Sequence, residues 1–115
     1  MLRRTTVIVP ALLAFVLLFG VAQASRSPTR QETREIREDA KLYLTGGGWR
    51  VSGIRVSTVS GRYAKAAVQQ GHAGPAGEMI LRLRHGIWHE AFLGTNDFCS
   101  APLPKRVLND LGFRC

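Results

Sequence analysis

Four side chains with chemical potential fall in two neighbouring apolar-rich runs of the chain: Glu78, Arg82, Arg84 and His89. A carboxylate base, a histidine acid and a guanidinium that stabilises charge on phosphorus are the groups a small ribonuclease needs. If a hairpin joins the two runs, all four lie on one face of it. Such a grouping also arises by chance on a basic sheet. We therefore assign no catalytic residue, interpret Arg82, Arg84 and His89 as a candidate anion-binding face, and keep a secreted ribonuclease as an alternative hypothesis.

Three histidines and two cysteines are the remaining candidate ligands: His72, His85, His89, Cys99 and Cys115. No two histidines share a helix at ligand spacing, so no metal site is predicted, and no cofactor. Two cysteines 16 positions apart in a small exported chain instead predict a disulfide. Closing a loop of that size would stabilise the fold by about 3 kcal/mol.

The first 24 residues have the pattern of a cleavable signal peptide. A positive start is followed by 16 uncharged residues at positions 7–22, and an Ala-Gln-Ala sequence ending at Ala24 predicts cleavage before Ser25. The uncharged run is shorter than the roughly 20 apolar residues of a spanning helix. We expect a secreted protein without a transmembrane segment after processing. An uncleaved membrane anchor is the alternative.

The charge balance after processing favours anionic partners. Removing 24 residues from 115 leaves 91, with 14 cationic side chains against eight acids and a net charge of +6. A chain of this size forms one domain. The arginines predicted on strands have no aromatic residues interleaved as a base-stacking platform would need: Arg50, Arg55, Arg62, Arg82 and Arg84. General electrostatic attraction is expected, without specific nucleic-acid recognition.

Hydrophobic periodicity predicts one helix, four strands and a second, short helix. After a flexible leader at residues 25–28, Thr29 and Glu32 fit a capping box that begins an amphipathic helix. Three glycines at 46–48 end it. From there the period is two, and a change of phase at Gly53 indicates a β-bulge.

The best-defined β structure is a hairpin formed by residues 78–84 and 87–93 around a His85-Gly86 turn. Cross-strand partners then have numbers that sum to 171, which pairs Met79 with Phe92. Six residues share the face that we assign to the core: Met79, Leu81, Leu83, Trp88, Glu90 and Phe92. We interpret Glu90, the carboxylate among them, as a rim position. A pocket-lining acid is the alternative.

Together these elements predict an α+β domain over residues 29–115. Its N-terminal amphipathic helix packs on a curved four-stranded antiparallel sheet, and the disulfide ties down the short C-terminal helix. The order of elements resembles the cystatin-like and NTF2-like arrangement. Several motifs look like those of small secreted actinobacterial proteins without an assigned function: Trp49-x-Val51, Tyr63-Ala64-Lys65-Ala66, Gly86-x-Trp88, Gly94-Thr95, Phe98-Cys99, and Val107-Leu108-x-Asp110-Leu111 before Cys115. This resemblance implies the fold and the disulfide and carries no activity with it.

The sequence has clear signals for each structural element but no convincing group of catalytic residues. It therefore favours a secreted, non-enzymatic binding or envelope-associated module. Its expected partner is an anionic envelope polymer or another protein. Besides the ribonuclease, a secreted protease inhibitor is an alternative. However, Gln69-Gln70-Gly71 lacks the Gln-x-Val-x-Gly motif of cystatin inhibitors.

Overall fold

The computed structural model describes residues 25–115, so the predicted signal peptide and its cleavage point after Ala24 lie outside the described residues. Within this range the chain is α+β, with an antiparallel sheet in the order β1-β2-β3-β4-β5. Its elements are β1 (Ser25–Arg26), α1 (Arg30–Lys41), β2 (Trp49–Ser57), β3 (Tyr63–Gln70), β4 (Ala76–Arg84), β5 (Ile87–Gly94) and α2 (Lys105–Asp110), with a 3-10 turn (Phe98–Ser100) before α2. The α+β class is confirmed, whereas the prediction of four strands is wrong.

The additional strand comes from the segment predicted as a flexible leader. Ser25 pairs with Ser57 and Arg26 with Val56 at the edge of the sheet. The Arg26 guanidinium also binds both carboxylate oxygens of Glu32 at 2.8 Å, and this contact lowers the pKa of Glu32 to about 2. The start of the domain is therefore held to both the sheet and α1. Two residues are too few to show a strand period, which is why the sequence did not indicate this strand.

Helix α1 begins as predicted. The Glu32 amide donates to Thr29 Oγ1 at 3.1 Å, and the Thr29 amide donates to Glu32 Oε1 at 2.9 Å, which completes the capping box. Ile36 and Ala40 face the sheet and are fully buried. The helix ends at Lys41, ahead of the three glycines that were expected to terminate it.

The predicted bulge in β2 is confirmed. The pairing of β2 with β3 shifts between Ser52 and Arg55, where Gly53 has a φ of +59°, a left-handed conformation that favours glycine. In a regular strand, residues three apart point to opposite faces. Because of the bulge, Val51 and Ile54 instead enter the same core beneath α1.

The β4–β5 hairpin turns at His85 and Gly86, whose φ angles are +53° and +77°, as in a tight two-residue turn. The predicted register holds for four pairs: Arg84 with Ile87, Leu83 with Trp88, Arg82 with His89 and Leu81 with Glu90. It then shifts by one residue at Ala91, so that Ile80 pairs with Phe92.

This bulge makes the expected Met79–Phe92 pair wrong. Met79 is paired with Leu93 and lies under α1, whereas Phe92 lies on the opposite face and packs against the C-terminal segment. Glu90, just before the bulge, is exposed, as the rim interpretation expects. A one-residue insertion in a strand moves every later side chain to the opposite face of the sheet. No glycine or proline in the sequence indicates the bulge at Ala91.

The sheet buries apolar residues on both faces. The core under α1 is built from Ile36, Ala40, Val51, Ile54, Val56, Ala64, Ala66, Val68, Met79, Leu81 and Trp88. A second core lies between the other face and the C-terminal segment and is built from Ile80, Ala101, Val107, Leu108 and Leu111. Fully burying one large aliphatic side chain is worth about 1.5–3 kcal/mol. The C-terminal segment is therefore an integral layer of the fold.

A buried carboxylate fixes this layer. Asp110 Oδ2 accepts from Ser57 Oγ at 2.6 Å and from the Thr58 amide at 2.7 Å, and Oδ1 accepts from Thr58 Oγ1 at 2.9 Å. Burial by itself raises the pKa of Asp110, but these hydrogen bonds outweigh it and the pKa lies below its ordinary value. The predicted disulfide between Cys99 and Cys115 is present and closes the same segment.

We predict that Asp110→Asn lowers the free energy of unfolding by about 2–3 kcal/mol, because an amide nitrogen would face donors that now bind a carboxylate. Urea denaturation at neutral pH measures this. The loss should shrink as the pH falls through the depressed pKa of Asp110, where the wild-type carboxylate is itself protonated.

Asp97→Asn is the matched control, because Asp97 is exposed, makes no capping hydrogen bond and has a left-handed φ of +59° that asparagine tolerates. We expect it to change stability by less than about 0.5 kcal/mol. Equal effects of the two substitutions would contradict the role assigned to Asp110.

Candidate functional site

Among residues 25–115, no strand pairs with the outer edge of the first half of β2. Strand β1 pairs with β2 only at Val56 and Ser57, at the end of the strand. The outer edge of β2 near Trp49 therefore lies open. Unpaired edges tend to recruit other chains unless charged side chains protect them. Here Arg37 of α1 reaches across and donates from Nε to the Val51 carbonyl at 3.1 Å. A cation of the helix thus borders the open edge.

Three further cations lie on the same side of α1 as Arg37. Arg30, Arg34, Arg37 and Lys41 are spaced by three or four residues, which places them in one row along a helix, and all four are exposed. They line one shallow depression together with Thr33 and Glu38. An adjoining depression, lined by Arg37, Lys41 and the first residues of β2, continues the row to the sheet.

Strand β2 contributes an aromatic ring, and the depression reaches Arg50. The Arg50 side chain itself lies on the face of the sheet opposite to Val51 and α1, where it donates to the Gly71 carbonyl at 3.1 Å and lies 3.5 Å from Gln69 Oε1. Trp49 donates from Nε1 to the Thr45 carbonyl at 2.8 Å, which fixes the indole. We call the surface formed by Arg30, Arg34, Arg37, Lys41, Trp49 and the free edge of β2, with Glu38 in its lining, the cationic groove.

The groove differs from the sequence-based prediction in two ways. The sequence gives the cations of α1 no role in binding, and it predicts cationic strands without interleaved aromatic residues. The structure places Trp49 in one depression with Arg37, Lys41 and Arg50. The spacing of the helix cations was visible in the sequence, but the open edge that they border depends on strand order and was not.

The positive charge of the groove is not neutralised by ion pairs. Within residues 25–115, the ion pairs are Arg26 with Glu32 at 2.8 Å and Lys65 with Glu78 at 3.9 Å. Neither involves a cation of the groove. On the other side of α1, Asp39 accepts from the Trp88 amide at 3.0 Å, so this acid faces β5. A depression lined by four cations and one acid carries a net positive charge, which attracts anions and raises their local concentration.

The predicted anion-binding face is partly assembled. Arg82 and His89 are direct cross-strand neighbours, whereas Arg84 pairs with Ile87 beside the turn. The Tyr43 hydroxyl lies 3.0 Å from His89 Nδ1. Arg82 Nε is buried and has no hydrogen-bond partner in the described part of the chain. This face remains a prediction, with fewer cations than the groove.

Glu78, the carboxylate of the ribonuclease hypothesis, lies apart from Arg82 and His89. Glu78 is four residues along β4 from Arg82, or about 13 Å at the usual rise of a strand, and its carboxylate is near Lys65. In the described part of the chain, no hydrogen bond or ion pair joins Glu78 to Arg82 or His89. His72 is exposed in the loop after β3.

A search of residues 25–115 for three or more His, Cys, Asp or Glu side chains arranged to hold a metal ion finds none. The same residues contain no helix of the length and hydrophobicity needed to cross a membrane.

No family model, curated protein or solved structure matches the chain. The resemblance to small secreted actinobacterial proteins and to the cystatin-like and NTF2-like arrangement therefore stays a prediction.

Quenching of tryptophan fluorescence tests the electrostatics of the groove without any ligand. Trp49 is partly exposed among cations, whereas Trp88 is buried, so quenchers in solution reach mainly Trp49. We predict that iodide quenches several-fold more strongly than caesium at low ionic strength, and that the difference declines at high salt.

The double variant Arg34→Gln/Lys41→Gln should reduce this difference. Lys105→Gln/Arg106→Gln, which removes the same charge from α2 on the other side of the sheet, should leave it unchanged. Equal quenching by both ions in the wild-type protein would count against a positive groove.

Proposed function

We propose that this protein is a secreted, non-enzymatic binding module whose cationic groove takes an anionic polymer of the cell envelope. The observation that carries the proposal is the row of four α1 cations along one groove, Arg30, Arg34, Arg37 and Lys41, none of which forms an ion pair with another of residues 25–115. Charge-assisted contacts from guanidinium groups suit phosphate and carboxylate ligands.

The dimensions of the groove favour a polymer over a single small anion. Arg30 and Lys41 are eleven residues apart on α1, which corresponds to about 16 Å of helix. Beyond Lys41 the groove continues to Arg50 along the free edge of β2. An extended chain with repeated negative charges can contact all these positions at once, and many weak contacts then add up.

Export is the second part of the proposal and rests on the signal-peptide pattern of residues 1–24. The Cys99–Cys115 disulfide supports it, because such bonds persist in oxidising compartments. A net charge of +6 after processing would keep the protein near anionic envelope material.

The non-enzymatic part is supported by the separation of Glu78 from the Arg82–His89 pair, since acid–base catalysis needs its groups within hydrogen-bond reach of one reacting centre. No contact of the described residues favours a protease inhibitor.

Binding of long-chain inorganic polyphosphate to the purified protein tests the proposal. We expect salt-sensitive binding that Arg34→Gln/Lys41→Gln weakens about tenfold, which corresponds to about 1.4 kcal/mol for the two lost contacts. The polymer should be recovered at its original length, as a binding module leaves it intact.

The control is Lys105→Gln/Arg106→Gln, two exposed cations of α2 whose removal changes the net charge equally. It should alter the Kd by less than about twofold. If both double variants weaken binding to the same extent, the attraction comes from the net charge of the protein and the groove is not the binding site. Absence of binding at low salt would also refute the proposal.

A further inference from the structure

A second, apolar pocket lies against Trp49, next to the cationic groove. Its volume is ≈ 170 Å³, and its lining includes Trp49, Val68, Pro75, Gly77, Leu93 and Thr95. An apolar cavity of about 150 Å³ is enough to hold a benzene-sized group. The pocket therefore has room for a short alkyl segment.

Trp49 belongs to both surfaces. It lines the apolar pocket with Val68 and Leu93, and it lines the groove with Arg37 and Lys41. The hydrogen bond from its Nε1 to the Thr45 carbonyl holds the ring in place between them. A ligand that crosses Trp49 would meet cations on one side and apolar side chains on the other.

The pocket is open to solvent. Leu93 keeps 39% of its surface exposed, although it pairs with Met79 at the margin of the core under α1. Covering apolar surface of this kind is favourable in proportion to the area buried. The adjoining positive charge favours an occupant whose apolar part is attached to an anion.

We infer that the groove and the pocket together bind an anionic amphiphile, with a phosphate or carboxylate headgroup beside Arg37 and Lys41 and an alkyl chain over Trp49 in the pocket. This deepens the proposed function, because it rests on the same cations and adds a lipid-like part to the ligand. The headgroup can belong to a free amphiphile or to the lipid end of an envelope polymer, and both share this chemistry.

Calorimetric titration of the purified protein with hexyl, octyl and decyl phosphate, below their micelle concentrations, tests the inference. Affinity should rise by two- to fourfold per added methylene until the pocket is filled, since each buried methylene gains at most about fourfold. Inorganic phosphate should bind far more weakly than octyl phosphate. Decyltrimethylammonium, with the same tail and the opposite charge, should not compete.

Leu93→Gln removes an apolar wall of the pocket at a position that is already exposed. We expect it to weaken octyl phosphate binding at least fivefold and to leave polyphosphate binding unchanged. Leu42→Gln is the matched control, because Leu42 is 75% exposed and lies outside the pocket; it should have no effect on either ligand. Lys41→Gln should weaken both.

The outcomes separate this inference from the proposed function. If polyphosphate binds but affinity for alkyl phosphates does not depend on chain length, the amphiphile inference is wrong and the proposed function stands. The inference also fails if Leu93→Gln and Leu42→Gln behave alike, or if the cationic amphiphile competes as well as the anionic one. If the protein binds alkyl phosphates but not polyphosphate, the polymer ligand of the proposed function is refuted and the amphiphile inference stands.

Discussion

The hydrogen bonds to the buried carboxylate of Asp110 hold together two parts of the chain that are distant in sequence. A charge removed from water must be fully hydrogen-bonded, and the partners of Asp110 come from Ser57 and Thr58 at the end of β2. This contact positions α2 on the sheet, where Leu108 and Leu111 close the second core. With α1 covering the other face, both faces of the sheet bury apolar residues, and the outer edge of β2 near Trp49 stays open within the described part of the chain.

The candidate site follows from that arrangement. The short strand β1 occupies only the far end of β2, so the edge near Trp49 is open where α1 passes over it. The sides of α1 differ in charge: Asp39 meets the backbone of β5, and Arg37 meets the backbone of β2. Packing of one amphipathic helix thus creates a positive groove, and the fixed indole of Trp49 joins it to an apolar pocket.

Local signals in the sequence predicted local structure well. The capping box at Thr29, the bulge at Gly53 and the His85-Gly86 turn each depend on a few adjacent residues whose conformational preferences are distinctive. The bulge at Ala91 has no such signal in the sequence. Because of it, Phe92 lies on the face of the sheet opposite to the one predicted. The groove depended on which edge of the sheet remains free, and this is set by long-range pairing that no local pattern specifies.

The central claim is that anions bind between α1 and β2. The most direct measurement is a titration of the ¹⁵N-labelled protein with polyphosphate, followed by amide chemical shifts. The account predicts that the largest changes fall in residues 30–41 and 49–52 and reach saturation together. Changes confined to residues 82–89, around the Arg82–His89 pair, would contradict it and place the anion site on the hairpin face.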